Sequence, residues 1–320
     1  MSASAVHKPK LGISACLMGD EVRFNGGHKE SQLCTRELTQ YFEFVTACPE
    51  VAIGMGIPRE PIRLVGDAQS PQAVGSVNRE LNVTQSLADY GVRMAEEFSD
   101  ICGYIFMQKS PSCGLERVKV YRENGAPVDG GGRGIYAQAF CERHPDLPVE
   151  EDGRLNDAVL RENFITRVFA YAAWQDLLKA GVTRRSLTEF HSRYKYQLMA
   201  NDPVQYKVLG KLLGSMGRSD PNEIAPRYFS ALMAALKKPA TRRTHTNVLQ
   251  HICGYLKKTL SAADKHEIQQ LIGQYHQGIV PLIVPLTLLK HHFRQHPDPY
   301  VALQVYMQPH PENLSLRNAI

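Results

Sequence analysis

The chain has 320 residues, long enough for two domains, and its 43% hydrophobic and 22% charged residues are the balance of a soluble globular protein. Seven scattered cysteines, an odd number in a long chain, argue against a disulfide framework and leave metal binding or catalysis open. The net charge of +5 divides unevenly, −4 over residues 1–150 and +9 over 151–320, where nine of the twelve histidines also lie. That asymmetry suggests chemistry in the first half and a polyanion on the second, although +9 over 170 residues also falls within ordinary variation.

The opening "MSASAVHKPKLGISACLMGDE" has no apolar run before a cleavage site, so a cytoplasmic protein is expected. "KLGISACL" (10–17) reads as a buried first strand, "SQLCTRELTQYF" (31–42) as a helix starting on a serine, and "FEFVTA" (42–47) as a second strand ended by "CPE". "TQSLADYGVRMAEEFSDI" (84–101) is an amphipathic helix with Leu87, Tyr90, Met94, Phe98 and Ile101 on one face. "CGYIFMQ" (102–108) is a third apolar strand and "RVKVY" (117–121) another. Helices alternating with short apolar strands indicate a parallel, Rossmann-like α/β sheet. "GGGRG" (130–134) matches neither a dinucleotide fingerprint nor a phosphate-binding loop and reads as a turn before a helix.

The texture changes near residue 150. Long helical periods follow with no convincing strand, so residues 1–150 are expected as the α/β domain and 151–320 as an all-α domain. "GIVPLIVPLTLL" (278–289) is too short to cross a bilayer and holds two prolines, so it reads as a buried helix or interdomain contact.

Cys16 closes the first strand, Cys48 the second, and Cys113 follows the third, in the turn "SPSCG". The crevice outside the carboxyl ends of parallel strands is the usual ligand site of such sheets. Three convergent thiols form a soft donor set suited to zinc, copper(I) or an iron–sulfur cluster. Alternatively, they are small residues at strand ends. Nothing has the close cysteine pairs of a structural zinc site.

"SACLMG", "VRFNGGHK", "ACPE" and "SPSCG", in this order over about residues 10–150, resemble the thiouracil desulfidase family, formerly a domain of unknown function. The resemblance implies a 4Fe-4S cluster held by three cysteines, here Cys16, Cys48 and Cys113, with an open fourth iron for the substrate sulfur. It implies Glu50 as the catalytic glutamate and Ser110 as the active-site serine. It also implies that Cys113 is exposed at its strand mouth because it is a ligand. Read without it, Glu50 is a helix-start carboxylate and Ser110 a turn serine. Arg23 and Lys109 are candidates for substrate phosphate, or surface ion-pair partners.

"LTEFHSRYKYQLMA", "TNVLQHICGYLKKTL", "PLIVPLTLLKHHF" and "QPHPENLSLRN" are similar to the YbgA-like domain over about 155–320. The fused pair resembles bacterial desulfidases that remove sulfur from 4-thiouridine in tRNA, which implies uridine and hydrogen sulfide as products and tRNA or a thiolated uridine as partner. Arg242, Arg243, Lys257, Lys258, Lys290 and Arg294 are the basic positions that could meet RNA, or they are solvated helix faces. His191, His245 and His251 lack a completing thiol or carboxylate and read as core or surface residues. Two other readings stay open: a desulfidase of free thiouracil or nucleotides whose helical half serves assembly, and a cluster-containing regulator that binds nucleic acid. A zinc-binding RNA module is the weakest.

Overall fold

The structure is a computed structural model describing residues 8–217 and 219–320. The first seven residues, part of the stretch read for a leader, lie outside the described residues. The chain divides into two compact units, the first ending at Asn156 and the second running from Asp157 to Ile320. The division falls a few residues beyond the change of texture near 150 because a last strand at Val149–Glu151 still belongs to the first sheet.

The first unit is α/β. Strands β1 (Lys10–Ser14), β2 (Glu43–Ala47), β5 (Tyr104–Phe106) and β7 (Val149–Glu151) form a fully parallel sheet in the order β2-β1-β5-β7. Leu11 and Ile13 of β1 point to one face, and Gly12 and Ser14 to the other. Gly12 has no side chain because the Tyr104 ring lies against it, and a Cβ there would stand 2.3 Å from the ring. A smaller sheet follows the order β4-β3-β6, from β3 (Ile62–Val65), β4 (Gln72–Gly75) and β6 (Val120–Tyr121). Its β3–β4 pair is antiparallel and its β3–β6 pair parallel. Helix α1 (Pro49–Ala52) follows β2, and α2 (Thr84–Glu97) and α3 (Ile135–Arg143) pack on each other. Helix α2 buries Leu87, Tyr90 and Met94, as its period requires, and stops four residues short of the expected end.

Two local expectations are corrected. Residues 31–42 do not form a regular α-helix. A widened π turn at Leu33–Glu37 passes into a tight 3-10 turn at Leu38–Gln40, an arrangement that buries both Cys34 and Leu38. The strand expected over 117–121 shortens to two residues and joins the second sheet.

The second unit is helical: α4 (Ala158–Ala180), α5 (Arg184–Asn201), α6 (Pro203–Gly214), α7 (Pro221–Leu236), α8 (Arg242–Cys253), α9 (Ala262–Gln277), α10 (Ile283–Gln295) and the short α11 (Pro299–Ala302). Asp157, Thr183, Asp202, Asp220, Thr241, Ser261 and Asp298 each accept a backbone N–H at the start of a helix. Such caps are each worth about 0.5–2 kcal/mol. One core centres on Trp174, whose ring stacks on Phe229 at 4.7 Å, and a second gathers residues of α8, α9 and α10 around Tyr306. The "PLIVPLTLL" run enters α10 and buries Leu286 and Leu289 in that second core. Among the described residues, no helix is long and apolar enough to cross a membrane.

Candidate active site

The three cysteines are delivered by three segments at one end of the parallel sheet. Cys16 sits in the 3-10 turn Ala15–Met18, directly after β1. Cys48 is the N-cap of α1, which places Glu50 in that helix's first turn. Cys113 lies in the loop after β5, folded by Ser110: its hydroxyl accepts the backbone N–H groups of Ser112 (3.3 Å) and Cys113 (3.1 Å). Lys109 enters the turn with φ of 59°, in the left-handed region. Gly134 closes the loop from behind, since a Cβ there would stand 2.5 Å from the carbonyl of Ser112.

These segments enclose a cavity of about 430 Å³, whose walls include Cys16, Cys48, Cys113, Glu50, Arg59 and Ser112. Arg23, Lys109 and Ser110 line it as well, so every candidate of the first half meets in one place. Cys113 is not exposed as expected. It is 5% exposed, because Gly134 lets the start of α3 press on its loop.

Both oxygens of Glu50 are held. Arg59 donates to Oε2 from Nε at 2.8 Å, and its Nη2 stands 2.8 Å from the same atom. Ser112 Oγ donates to Oε1 at 2.7 Å. Arg59 is almost wholly buried and also binds the carbonyls of Val22 and Gly56, so its guanidinium is fixed from three sides. Ser110 Oγ lies 2.9 Å from Ser112 Oγ and reaches Glu50 only through it. The sequence reading missed Arg59 and Ser112. Ser112 stood inside the quoted "SPSCG" motif, whereas no local signal marks Arg59.

Burial pushes the Cys16 thiol up to about 12, with Cys48 adding to the effect and Arg23 opposing it. Burial also raises Cys48, aided by Glu50, and carries Cys113 far above the ordinary thiol range against hydrogen bonds from Ser14 and Ser112. A thiolate-binding cation must displace these protons. Among the described residues that line the cavity, four cationic side chains, Arg23, Lys29, Arg59 and Lys109, stand against one carboxylate, Glu50. Among the described residues, no three His, Cys, Asp or Glu side chains stand close enough to share one ion. A polynuclear iron–sulfur group, with each thiolate on a different iron, fits a wider set lining one cavity.

The RNA candidates lie in the second unit. Arg242 starts α8 with its guanidinium 5.4 Å from the centre of the Tyr275 ring and bonded to the Tyr275 carbonyl. Arg243, Lys257, Lys258 and Arg294 are exposed, and Lys290 is paired with Glu312. The histidines turn to packing: His191 contacts the Tyr228 hydroxyl at 3.2 Å and His245 the Tyr306 hydroxyl at 2.8 Å.

Comparison with known proteins assigns each half a class. Residues 11–152 match the family described as 2-thiouracil desulfurase, and residues 195–311 match a protein family of unknown function, DUF1722. The chain is 30% identical to the uncharacterized protein YbgA of Escherichia coli (strain K12), over 49% of this chain and 94% of that protein. It is also 30% identical to the uncharacterized protein YbbK of Bacillus subtilis (strain 168), over 45% of this chain and 97% of that protein. A solved 4Fe-4S-dependent thiouracil desulfidase, TudS, aligns at 27% identity with a TM-score of 0.35, covering 47% of this chain and 94% of its own. The chain belongs to the 2-thiouracil desulfurase family through its first half and to the YbgA-like DUF1722 family through its second.

Proposed function

We propose that the protein is an iron–sulfur-dependent, non-redox desulfidase that removes sulfur from 4-thiouridine in tRNA, giving uridine and hydrogen sulfide. The observation that carries this reading is one cavity joining Cys16, Cys48 and Cys113 to a carboxylate gripped by Arg59 and Ser112, in a chain of the 2-thiouracil desulfurase family. A 4Fe-4S cluster held by the three cysteines, with its fourth iron open, would supply a soft Lewis acid for a thiocarbonyl sulfur.

The side chains account for the remaining steps. Glu50 has free lone pairs beyond those used by Arg59 and Ser112, so it can accept a proton from water attacking the ring carbon. It can then return protons to the departing sulfur. Water adds, the C–S bond breaks, a C=O bond forms and hydrogen sulfide leaves, with no net electron transfer. Arg59 keeps the carboxylate oriented, and Ser112, steadied by Ser110, offers a hydroxyl beside the reacting atoms. Arg23, Lys29 and Lys109 give the cavity a positive wall for a substrate phosphate.

The test is the absorption spectrum of anaerobically purified protein, with iron and sulfide analysis, before and after addition of a thiolated RNA. About four irons and four sulfides per chain are expected, with a spectrum that changes on addition. Iron-free protein that still converts the substrate would overturn the reading. Turnover of free 4-thiouridine with none of thiolated tRNA would move the substrate to the small molecule.

A further inference from the structure

Phe24, in the segment "VRFNGGHK", takes no part in the proton transfers assigned to Glu50. Among the described residues that line the thiol cavity, it is the one aromatic. Its ring is 39% exposed, whereas Phe42 and Phe106 of the same unit are buried. The Arg23 guanidinium lies over the ring at 5.7 Å from its centre, near the limit of a cation–π contact, and does not close it off. Arg23 lines the cavity as well. A nucleobase stacks on an aromatic face and on a guanidinium plane alike.

The loop that carries the ring is held in place. The Arg23 N–H donates to the Gly27 carbonyl at 3.1 Å, and the Gly26 N–H donates back to the Arg23 carbonyl at 2.9 Å. Gly26 allows this tight turn with φ of 74°. Arg59 ties the turn to Glu50. Its backbone N–H donates to the Phe24 carbonyl at 2.8 Å, its Nη2 to the Val22 carbonyl at 2.8 Å, and its Nε to Glu50 Oε2 at 2.8 Å. One arginine thus fixes both the ring and the carboxylate. A flat ligand laid on Phe24 is thereby held in a set position relative to Glu50, as attack at one ring carbon requires. Pro61 and Ile62 line the same cavity, so the wall offers apolar area that a planar ring would take out of water.

We propose that Phe24 is the surface on which the pyrimidine ring of the substrate stacks, with Arg23 bordering it, and that this contact selects planar bases. The choice of a pyrimidine rests on the desulfidase reading; the stacking contact rests on the placement of Phe24 and Arg59.

Equilibrium titration of the iron-loaded full-length chain with uridine and with 5,6-dihydrouridine is the direct test. The two nucleosides share their hydrogen-bonding edge, but the second ring is saturated and puckered and stacks poorly. The parent chain should bind uridine about 5- to 10-fold more tightly, the lower end of what one base–aromatic stack contributes. Phe24→Leu keeps an apolar side chain but no π face, so it should lose the preference. It should also raise KM for 4-thiouridine with little change in kcat, because a stack is present before and during the reaction alike. Phe24→Tyr should keep both the preference and the KM. Matching iron content and melting curves establish that the variants are folded, and the comparison on the parent chain stands even if Phe24→Leu fails to load. Equal affinity of the parent chain for the two nucleosides, or a preference that survives Phe24→Leu, would overturn the proposal. The two readings fail separately. A preference lost in Phe24→Leu, with no sulfide released from 4-thiouridine by the parent chain, keeps the stacking contact and overturns the desulfidase. Sulfide release with a preference untouched by Phe24→Leu does the reverse.

Discussion

Glu50, Ser112 and Arg59 act as one unit, and their geometry ranks the effects of removing each. Glu50→Gln keeps the shape but loses the proton acceptor, so turnover should fall ~10²–10⁴-fold while iron content is unchanged. Ser112→Ala removes one hydrogen bond to a charged group, and a loss nearer 10-fold is expected. Sulfide release measured beside iron content checks both, and equal losses would show that the serine moves protons itself. Ser110→Ala should act chiefly on the loop, because that hydroxyl caps the backbone of Ser112 and Cys113. In the second unit, burial and then Arg317 hold His245 down to about 4. The unfolded chain binds this proton near 6.5, so between about 6.5 and 4 the unfolded state carries more protons. Stability should therefore fall as pH falls through that window, by about 3 kcal/mol from this residue. Glu162 is buried, yet Arg317 and His310 bring it to about 2, so its contribution is lost below about 4.5. Denaturation of His245→Gln at pH 7 and pH 5 should show a flatter pH slope than the parent chain. An unchanged slope would remove His245 from the account.

At the scale of elements, the site depends on turns more than on the strands that lead to them. Cys16, Cys48 and Cys113 sit in a 3-10 turn, an N-cap and a serine-capped loop. Cys16→Ser, Cys48→Ser and Cys113→Ser should each lose the cluster, whereas Cys34→Ser and Cys253→Ser, away from the cavity, should keep it. Iron analysis decides, and full loading of any of the first three would remove that residue from the ligand set. Gly134→Ala should lower iron content without touching a ligand, because its Cβ would collide with the Ser112 carbonyl and push the Cys113 loop aside. The parallel strands and their helices were legible because each strand is a short apolar run and α2 repeats at the helical period. Gly91, inside α2, is a contact position, since a Cβ there would stand 2.8 Å from the Tyr136 carbonyl on α3. The second sheet was not legible. Its strands "IRLV", "QAVG" and "VY" are too short and mixed to show a period, and pairing between distant segments holds them. Arg59 and the burial of Cys113 escaped for the same reason: each depends on contacts between segments far apart in sequence.

The whole molecule joins a mildly acidic first half to a basic second half. Reversing charge at Arg243, Lys257 and Lys258, all exposed, should weaken tRNA binding and flatten its salt dependence, by roughly one unit of slope for each phosphate no longer neutralised. Turnover of a small thiolated nucleoside should not change, because the residues lining the thiol cavity all belong to the first unit. Unaltered salt dependence would return these residues to the role of solvated helix faces. The central claim is that water, with no reductant, replaces sulfur at a uracil carbon beside Glu50. The direct measurement follows the thiocarbonyl absorbance of 4-thiouridine-containing tRNA together with released sulfide, using cluster-loaded protein under anaerobic conditions. The account predicts one sulfide released for each thiocarbonyl consumed, uridine as the only nucleoside product, and almost no reaction with Glu50→Gln. Unchanged absorbance for both the tRNA and free 4-thiouridine, or a reaction that proceeds only when a reductant is supplied, would contradict it.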